Sequence, residues 1–346
     1  MAEAAPRATL TPTPPAAPLV RAPASPPLPV SAAEAPAAAH PAAGLALMLL
    51  ATACFAGMDT AVRELSSGHA TGGLVLPVVV MLWWRYLAQG GLMGLWFLAR
   101  RRPLRIAHPK FQLMRGLLLM VSTVCSFLGL RHLPVPEFTA VVMLAPVLAT
   151  ALAAFALGER VSAGRWALVA GAMVGALIII RPGGALFGPG ALYPLAGALA
   201  FGSFQVLTRR LASLEDPYAT HLCTGWVGVI IGSAWLLAQG LTPWDGLDEL
   251  GPGPWAILAL VGLLGTIGHL VLILALGQAP ASLLMPFSYS QIAWATLMAW
   301  LVAGHWPDDW SWVGIAVITG CGATSAWLNL RRPAATNAVQ ADTVTD

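Results

Sequence analysis

From Gly44 onward, runs of about 20 apolar residues alternate with short polar or Gly/Pro joints, and this pattern constrains the chain more than any other feature. A helix of that length rises about 30 Å, the thickness of bilayer hydrocarbon. A buried backbone in lipid must satisfy its own polar groups, so short-looped helices are the structure such runs can adopt. Ten runs are read, at about 44–64, 74–98, 111–130, 136–157, 164–181, 190–209, 217–238, 253–276, 281–303 and 311–330. Composition agrees: 58% of the 346 residues are hydrophobic and 10% charged, too few charges to cover a soluble surface. The expected fold class is an all-α membrane protein with ten transmembrane helices.

Residues 1–43 carry eleven prolines and no apolar run, so a disordered tail is expected there. The tail also lacks the h-region of a cleaved signal peptide. With the N-terminus in the cytoplasm, one side receives Arg100, Arg101, Arg102, Arg105, Lys110, Arg160, Arg165, Arg209, Arg210, Arg331 and Arg332. The other receives Arg63, Arg131 and Arg181, with Asp245, Asp248, Glu249, Asp308 and Asp309. That bias places both termini in the cytoplasm and the chain in the cell membrane, the inner one for a Gram-negative source.

The chain repeats at an offset of 146 residues. Phe55 and Arg63 fall on Phe201 and Arg209, Pro134 on Pro280, Thr150 on Thr296, Gly158 on Gly304 and Trp166 on Trp312. Five helices per copy is an odd number, so the second copy enters the membrane from the opposite side, as in inverted-repeat transporters. The expected organisation is a tail at 1–43, one five-helix repeat at 44–187, a second at 188–330, and a cytoplasmic tail at 331–346.

Several chemistries are excluded. Cys54, Cys125, Cys223 and Cys321 lie in separate apolar runs without ligand spacing, so no metal site or disulfide framework is expected. Gly188-Pro189-Gly190 reads as a turn; no nucleotide-binding motif, and hence no cofactor, is expected. HExxH, a GxSG-like serine and paired membrane aspartates are missing, which argues against an enzyme. Lys110, the sole lysine, lies in a joint and cannot form a Schiff base within the helices. A net charge of +3 does not point to nucleic acid.

Polar residues inside the runs are the candidate substrate-binding groups, because each costs insertion energy. Asp59 reads either as a coupling or substrate-contacting carboxylate or as a local partner of Arg63 at i,i+4. Its repeat partner is Gln205, a neutral hydrogen-bonding group. Arg85 lies too deep to snorkel and needs Asp59, a helix end or an anionic substrate group. Arg115, one turn into the third run, is expected to snorkel to the surface. Ser288, Tyr289 and Gln291 follow Pro286 and read as cavity lining or as interhelical hydrogen bonds. His269 reads as a proton relay or as a helix-bonded imidazole, with His221 similar. Trp83 and Trp84 could stack on a ligand or simply pack. Glycines through 164–202 permit close helix approach and leave a homodimer face open.

Local motifs add a resemblance. Phe55-Ala56-Gly57-Met58-Asp59 with Arg63, Arg85-Tyr86, Pro146, Gly158-Glu159-Arg160 with Arg165-Trp166, and Ile180-Arg181-Pro182-Gly183 occur in order. Ala281-Ser282, Pro286-Phe287-Ser288-Tyr289 and Gly304-His305-Trp306-Pro307-Asp308 follow in the second half. Together they resemble the drug/metabolite transporter superfamily, with two EamA-type repeats over about 44–332. Within it, the Phe-Ala-Gly-Met-Asp and Pro-Phe-Ser-Tyr stretches resemble the group containing bacterial riboflavin importers and S-adenosylmethionine carriers. The resemblance implies a secondary transporter of a small metabolite, driven by a proton or counter-substrate and not by ATP. Riboflavin-like, S-adenosylmethionine-like and exported-metabolite substrates stay open, as does a sensor or enzyme without transport. Few charges inside the membrane favour a neutral, zwitterionic or weakly anionic substrate, with room for an aromatic ring. His305 stands where the resemblance places a glutamate, so altered charge pairing is expected at that joint.

Overall fold

A computed structural model describes residues 41–148, 152, 163–180, 190, 192–211, 214–248, 250–278, 284 and 287–330. Residues 1–40, 331–346 and the joints at 158–162 and 181–189 lie outside the described residues, together with the readings made on them, whereas 41–43, read as the end of the tail, already belong to the first helix. Among the described residues every regular element is a helix: α1 (Pro41–Ser67), α2 (Val78–Arg100), α3 (Pro109–Gly129), α4 (Val135–Val142) and α5 (Ala163–Ile180). Then come α6 (Leu192–Leu211), α7 (Pro217–Ala238), α8 (Pro252–Gln278), α9 (Ser290–Ala303) and α10 (Asp309–Leu330). Each falls within one of the ten apolar runs or overlaps it. Segments within α1, α3, α7 and α8 are long and apolar enough to cross a bilayer; the apolar stretches of α4, α5, α6 and α9 are shorter. The chain is a multi-pass membrane protein.

Local sequence sets the helix ends. Asp216 caps α7, its carboxylate accepting the Tyr218 N–H at 3.2 Å, and Pro217 occupies the first turn, where no N–H is needed. Gly304 ends α9 at φ 63°, a left-handed conformation that costs glycine nothing. α4 stops at Met143, three residues before Pro146, whose ring opposes the carbonyl of Val142 and which offers no N–H to it. In the second half, helical turns at Phe287 and Ser288 are interrupted at Tyr289 before α9 begins. Met143 and Tyr289 are 146 residues apart, the repeat offset, so both halves break the same helix at the same place.

The helix packing follows the same exchange. α2 packs on α7, α4 on α9 and α5 on α10, each pair being repeat equivalents. The remaining extensive interfaces come in exchanged pairs: α1·α8 with α3·α6, α1·α9 with α4·α6, and α2·α8 with α3·α7. Small residues make these crossings possible. A Cβ on Gly225 of α7 would lie 2.6 Å from the backbone nitrogen of Gly90 in α2. Gly175 of α5 and Gly314 of α10 meet in the same way: a Cβ on Gly314 would lie 2.7 Å from the Gly175 carbonyl oxygen. The glycine-rich stretch that left a dimer face open is therefore spent at Gly171, Gly175 and Gly197 on contacts within the chain.

Two apolar clusters form the core. One gathers α1, α2, α3, α7 and α8 around Met81, Leu82, Phe127 and Val261. The other gathers α5, α9 and α10 with the end of α4, around Leu144, Ile179, Ile292 and Ile318. Polar contacts between joints link the ends of the bundle. Glu215, between α6 and α7, accepts the His108 N–H at 2.7 Å from the joint between α2 and α3. Glu137, in the first turn of α4, meets His305 Nε2 at 3.2 Å, between α9 and α10. The altered charge pairing expected of His305 is thus made with a buried glutamate.

Candidate functional site

A narrow cavity with room for about 60 Å³ of solvent lies between the two core clusters. α1 supplies Phe55, Met58 and Asp59; α2 supplies Arg85; α3 supplies Leu119, Ser122, Thr123, Ser126 and Phe127. Phe138, Val142 and Met143 come from α4 and its break, Phe201 from α6, His269 from α8 and Gln291 from α9. Both broken helices therefore reach the cavity, α4 at the break itself and α9 two residues past it.

The polar centre is built by tight helix approach. Gly262, Gly265 and Gly268 recur every third residue of α8 and let α1 and α2 close on it. A Cβ on Gly265 would stand 3.2 Å from Arg85 Nε, and one on Gly268 would stand 2.8 Å from the Phe55 ring. Arg85 is 1% exposed, lies 4.4 Å over the Tyr86 ring, and has Nε and Nη1 buried without an acceptor. Asp59, also buried, accepts from Gln291 Nε2 at 3.4 Å and interacts electrostatically with Arg85. His269 is wedged between Phe55, at 4.8 Å, and Phe204, at 6.4 Å.

Of the candidate residues, the structure brings Asp59, Arg85, His269 and Gln291 together around the cavity. Ser288, Tyr289 and Gln205 do not line it. Tyr289 instead joins the apolar cluster with α5 and α10, its ring against Gly322. Gln205 is half-buried on α6. The local alternative for Asp59 fails, because Arg63 turns away and donates to the Leu130 carbonyl at 2.6 Å. Trp84 donates to the Pro243 carbonyl at 2.8 Å and packs on Trp244 and Trp255, so it serves as a packing residue.

Arg115 overturns its expectation. It does not snorkel: it is 1% exposed, donating to Thr208 Oγ1 at 2.9 Å, Thr224 Oγ1 at 2.6 Å and the Thr220 carbonyl at 3.3 Å. Its guanidinium also covers the Phe204 ring at 4.6 Å. Three threonines on α6 and α7 satisfy it, and neutral residues, two of them four apart on α7 and one on α6, give little sequence signal as arginine ligands. Gln89 continues this seam, donating to the His221 carbonyl at 3.0 Å. Glu137 was also missed, since its burial depends on His305, distant in sequence. The threefold glycine spacing in α8 was the legible signal for the close approach at Arg85.

The comparisons with known proteins follow this geometry. The EamA-like transporter family model matches residues 42–181 and again 188–323. A riboflavin transporter of Rhizobium johnstonii is 30% identical over 268 residues, covering 76% of this chain and 85% of its own. An S-adenosylmethionine uptake transporter of Rickettsia bellii is 25% identical, covering 63% of this chain and 72% of its own. A solved crystal structure superposes with a TM-score of 0.58 at 21% identity, over 83% of this chain and 99% of its own, which shows the fold. With both halves matched by one transporter model and the riboflavin-transporter relative aligned over most of its length, the chain belongs to the EamA-like transporter family.

Proposed function

We propose that the protein is a secondary transporter that carries a small heteroaromatic metabolite across the cell membrane by alternating access. One observation carries the reading: two helices broken at repeat-equivalent positions meet at a cavity holding a buried arginine and aspartate. Discontinuous helices at corresponding positions of two halves are where such transporters bind substrate. A freed backbone is tolerated in lipid only beside a protein-lined cavity. The halves are 44–187 and 188–330, inverted relative to each other, with ten crossings and both termini in the cytoplasm. Rocking of one half against the other exposes the cavity to each side in turn.

Asp59, Arg85, His269 and Gln291 are the substrate-contacting set in this reading, with Asp59 the coupling carboxylate. The relatives are named for riboflavin and S-adenosylmethionine, which share a planar heteroaromatic ring. Phe55, Phe127, Phe138 and Phe201 offer such a ring apolar walls. The test is uptake of radiolabelled riboflavin and S-adenosylmethionine into proteoliposomes containing the purified protein, with and without a proton gradient. Protein-dependent uptake of one solute is expected. Movement of neither, in vesicles where the protein is inserted and folded, overturns the reading.

A further inference from the structure

The two substrates named for the relatives differ in net charge: riboflavin is neutral with ring carbonyls, whereas S-adenosylmethionine is a net cation, its sulfonium and ammonium set against one carboxylate. The charges buried around the cavity separate these classes. Asp59 is the one acid among the described residues lining the cavity, and it interacts electrostatically with the Arg85 guanidinium. Arg115 lies on the neighbouring seam, where it donates to the neutral oxygens of Thr208, Thr220 and Thr224. The fields of both arginines reach His269 on the cavity wall. Glu137 does not offset them, because it meets His305 and the field of Arg63. Among the described residues Asp59 and Arg85 cancel within the lining, and Arg115 beside it leaves one positive charge in excess. A proton taken up by Asp59, His221 or His269 adds to that excess, so its sign does not depend on protonation.

The hydrogen-bonding valences add a second requirement, a ligand that brings acceptors. Ser122 and Thr123 line the cavity but spend their hydroxyls on the Gly197 and Leu119 carbonyls, at 3.3 and 2.8 Å. Arg85 Nε and Nη1 are left as buried donors without an acceptor. Nε–H and Nη1–H lie on different edges of the planar guanidinium, so each calls for its own oxygen acceptor on a ligand. Leaving such donors unmet is costly, so a ligand that supplies acceptors gains more than its contact alone.

We infer that the cavity selects a neutral or anionic planar heteroaromatic whose ring edge presents hydrogen-bond acceptors to Arg85, and disfavours cationic ligands. The inference deepens the transporter reading and rests on it for the cavity's role. A net cation entering the cavity meets the summed positive field of Arg85 and Arg115 that reaches His269, at low dielectric and with Asp59 the one lining acid among the described residues to offset it.

The experiment measures binding to the purified full-length protein in detergent, separately from transport. Riboflavin is followed by quenching of its own fluorescence, and S-adenosylmethionine and orotate, a planar anion, by competition. Riboflavin is expected to bind at least about tenfold tighter than S-adenosylmethionine, with orotate also ahead of it. Arg85→Gln is expected to weaken riboflavin about tenfold or more, and Arg85→Lys to recover part of the loss because it restores charge without the fork. If Arg85→Gln does not fold, the wild-type ranking alone decides. Equal or tighter binding of S-adenosylmethionine, no binding of either planar probe, or a folded Arg85→Gln within twofold of wild type overturns the inference. Transport of S-adenosylmethionine would then leave the transporter reading standing. Selective riboflavin binding without uptake into vesicles would do the reverse.

Discussion

Arg85 and Arg115 are both buried, yet they are held differently. Arg115 has acceptors from two helices, whereas Nε and Nη1 of Arg85 have none. Thr224→Val keeps the shape of its side chain and removes the 2.6 Å acceptor of Arg115. The expected cost is about 1–3 kcal/mol of stability, the range for a buried donor left unsatisfied. Thermal unfolding in detergent checks it; an unchanged midpoint would show that the threonine is dispensable to the arginine. Around Arg85 the sign differs. Asp59→Asn removes the acid that Arg85 faces while keeping an acceptor for Gln291. If Asp59 couples transport to an ion gradient, this variant loses gradient-driven accumulation and retains exchange of substrate for substrate. Equal loss of both assigns Asp59 to substrate binding or structure instead.

At the scale of the element, α8 presents glycine every third residue so that α1 and α2 can approach. Gly265→Ala would add a Cβ 3.0 Å from Met58 Sδ and 3.2 Å from Arg85 Nε, so the guanidinium must shift. The expected result is impaired substrate affinity with insertion retained, measured by uptake on surface-checked protein. Gly91→Ala in α2 is the control, because a Cβ there meets nothing within 4 Å. That change should be neutral or stabilise the helix by about 0.5–1 kcal/mol. Gly225→Val tests the α2·α7 crossing, where the added Cβ would stand 2.6 Å from the Gly90 backbone nitrogen. Backbone cannot yield as a flexible side chain can, so loss of folded protein on size-exclusion chromatography is expected.

For the whole molecule, the inverted-repeat reading makes a topological prediction. The contacts between joints agree with alternating crossings: the α2–α3 joint meets the α6–α7 joint, and the α4 entrance meets the α9–α10 joint. Reporter fusions within the α7–α8 joint, at Gln239–Pro252, should read outside, and fusions after Arg332 should read inside. Both on one side would break the inverted arrangement. Deleting residues 2–40 should leave insertion and transport near wild type, since that segment has little apolar surface to bury. Membrane fractionation and uptake check it, and loss of insertion would assign the tail a targeting role.

The ten helices among the described residues were legible in the sequence as apolar runs, a local property, and the segments of α1, α3, α7 and α8 also have the length to cross a bilayer. The offset of 146 was legible for a similar reason: Phe55 with Phe201 and Pro134 with Pro280 record equivalence along the chain without any contact between them. Insertion cost also marked Asp59, Arg85, His269 and Gln291 one at a time. Which polar groups share a cavity was decided by tertiary structure. Gln291 reaches Asp59 across 232 residues, whereas Tyr289, two positions earlier, turns into apolar packing. Arg115 and Glu137 show the same limit. Arg115 reads as a snorkelling charge by position and is buried because the threonines of α6 and α7 meet it, and Glu137, on which the sequence offers no reading, is buried where the imidazole of His305 meets it. Burial of a charge depends on what surrounds it in space, and a sequence orders residues only along the chain.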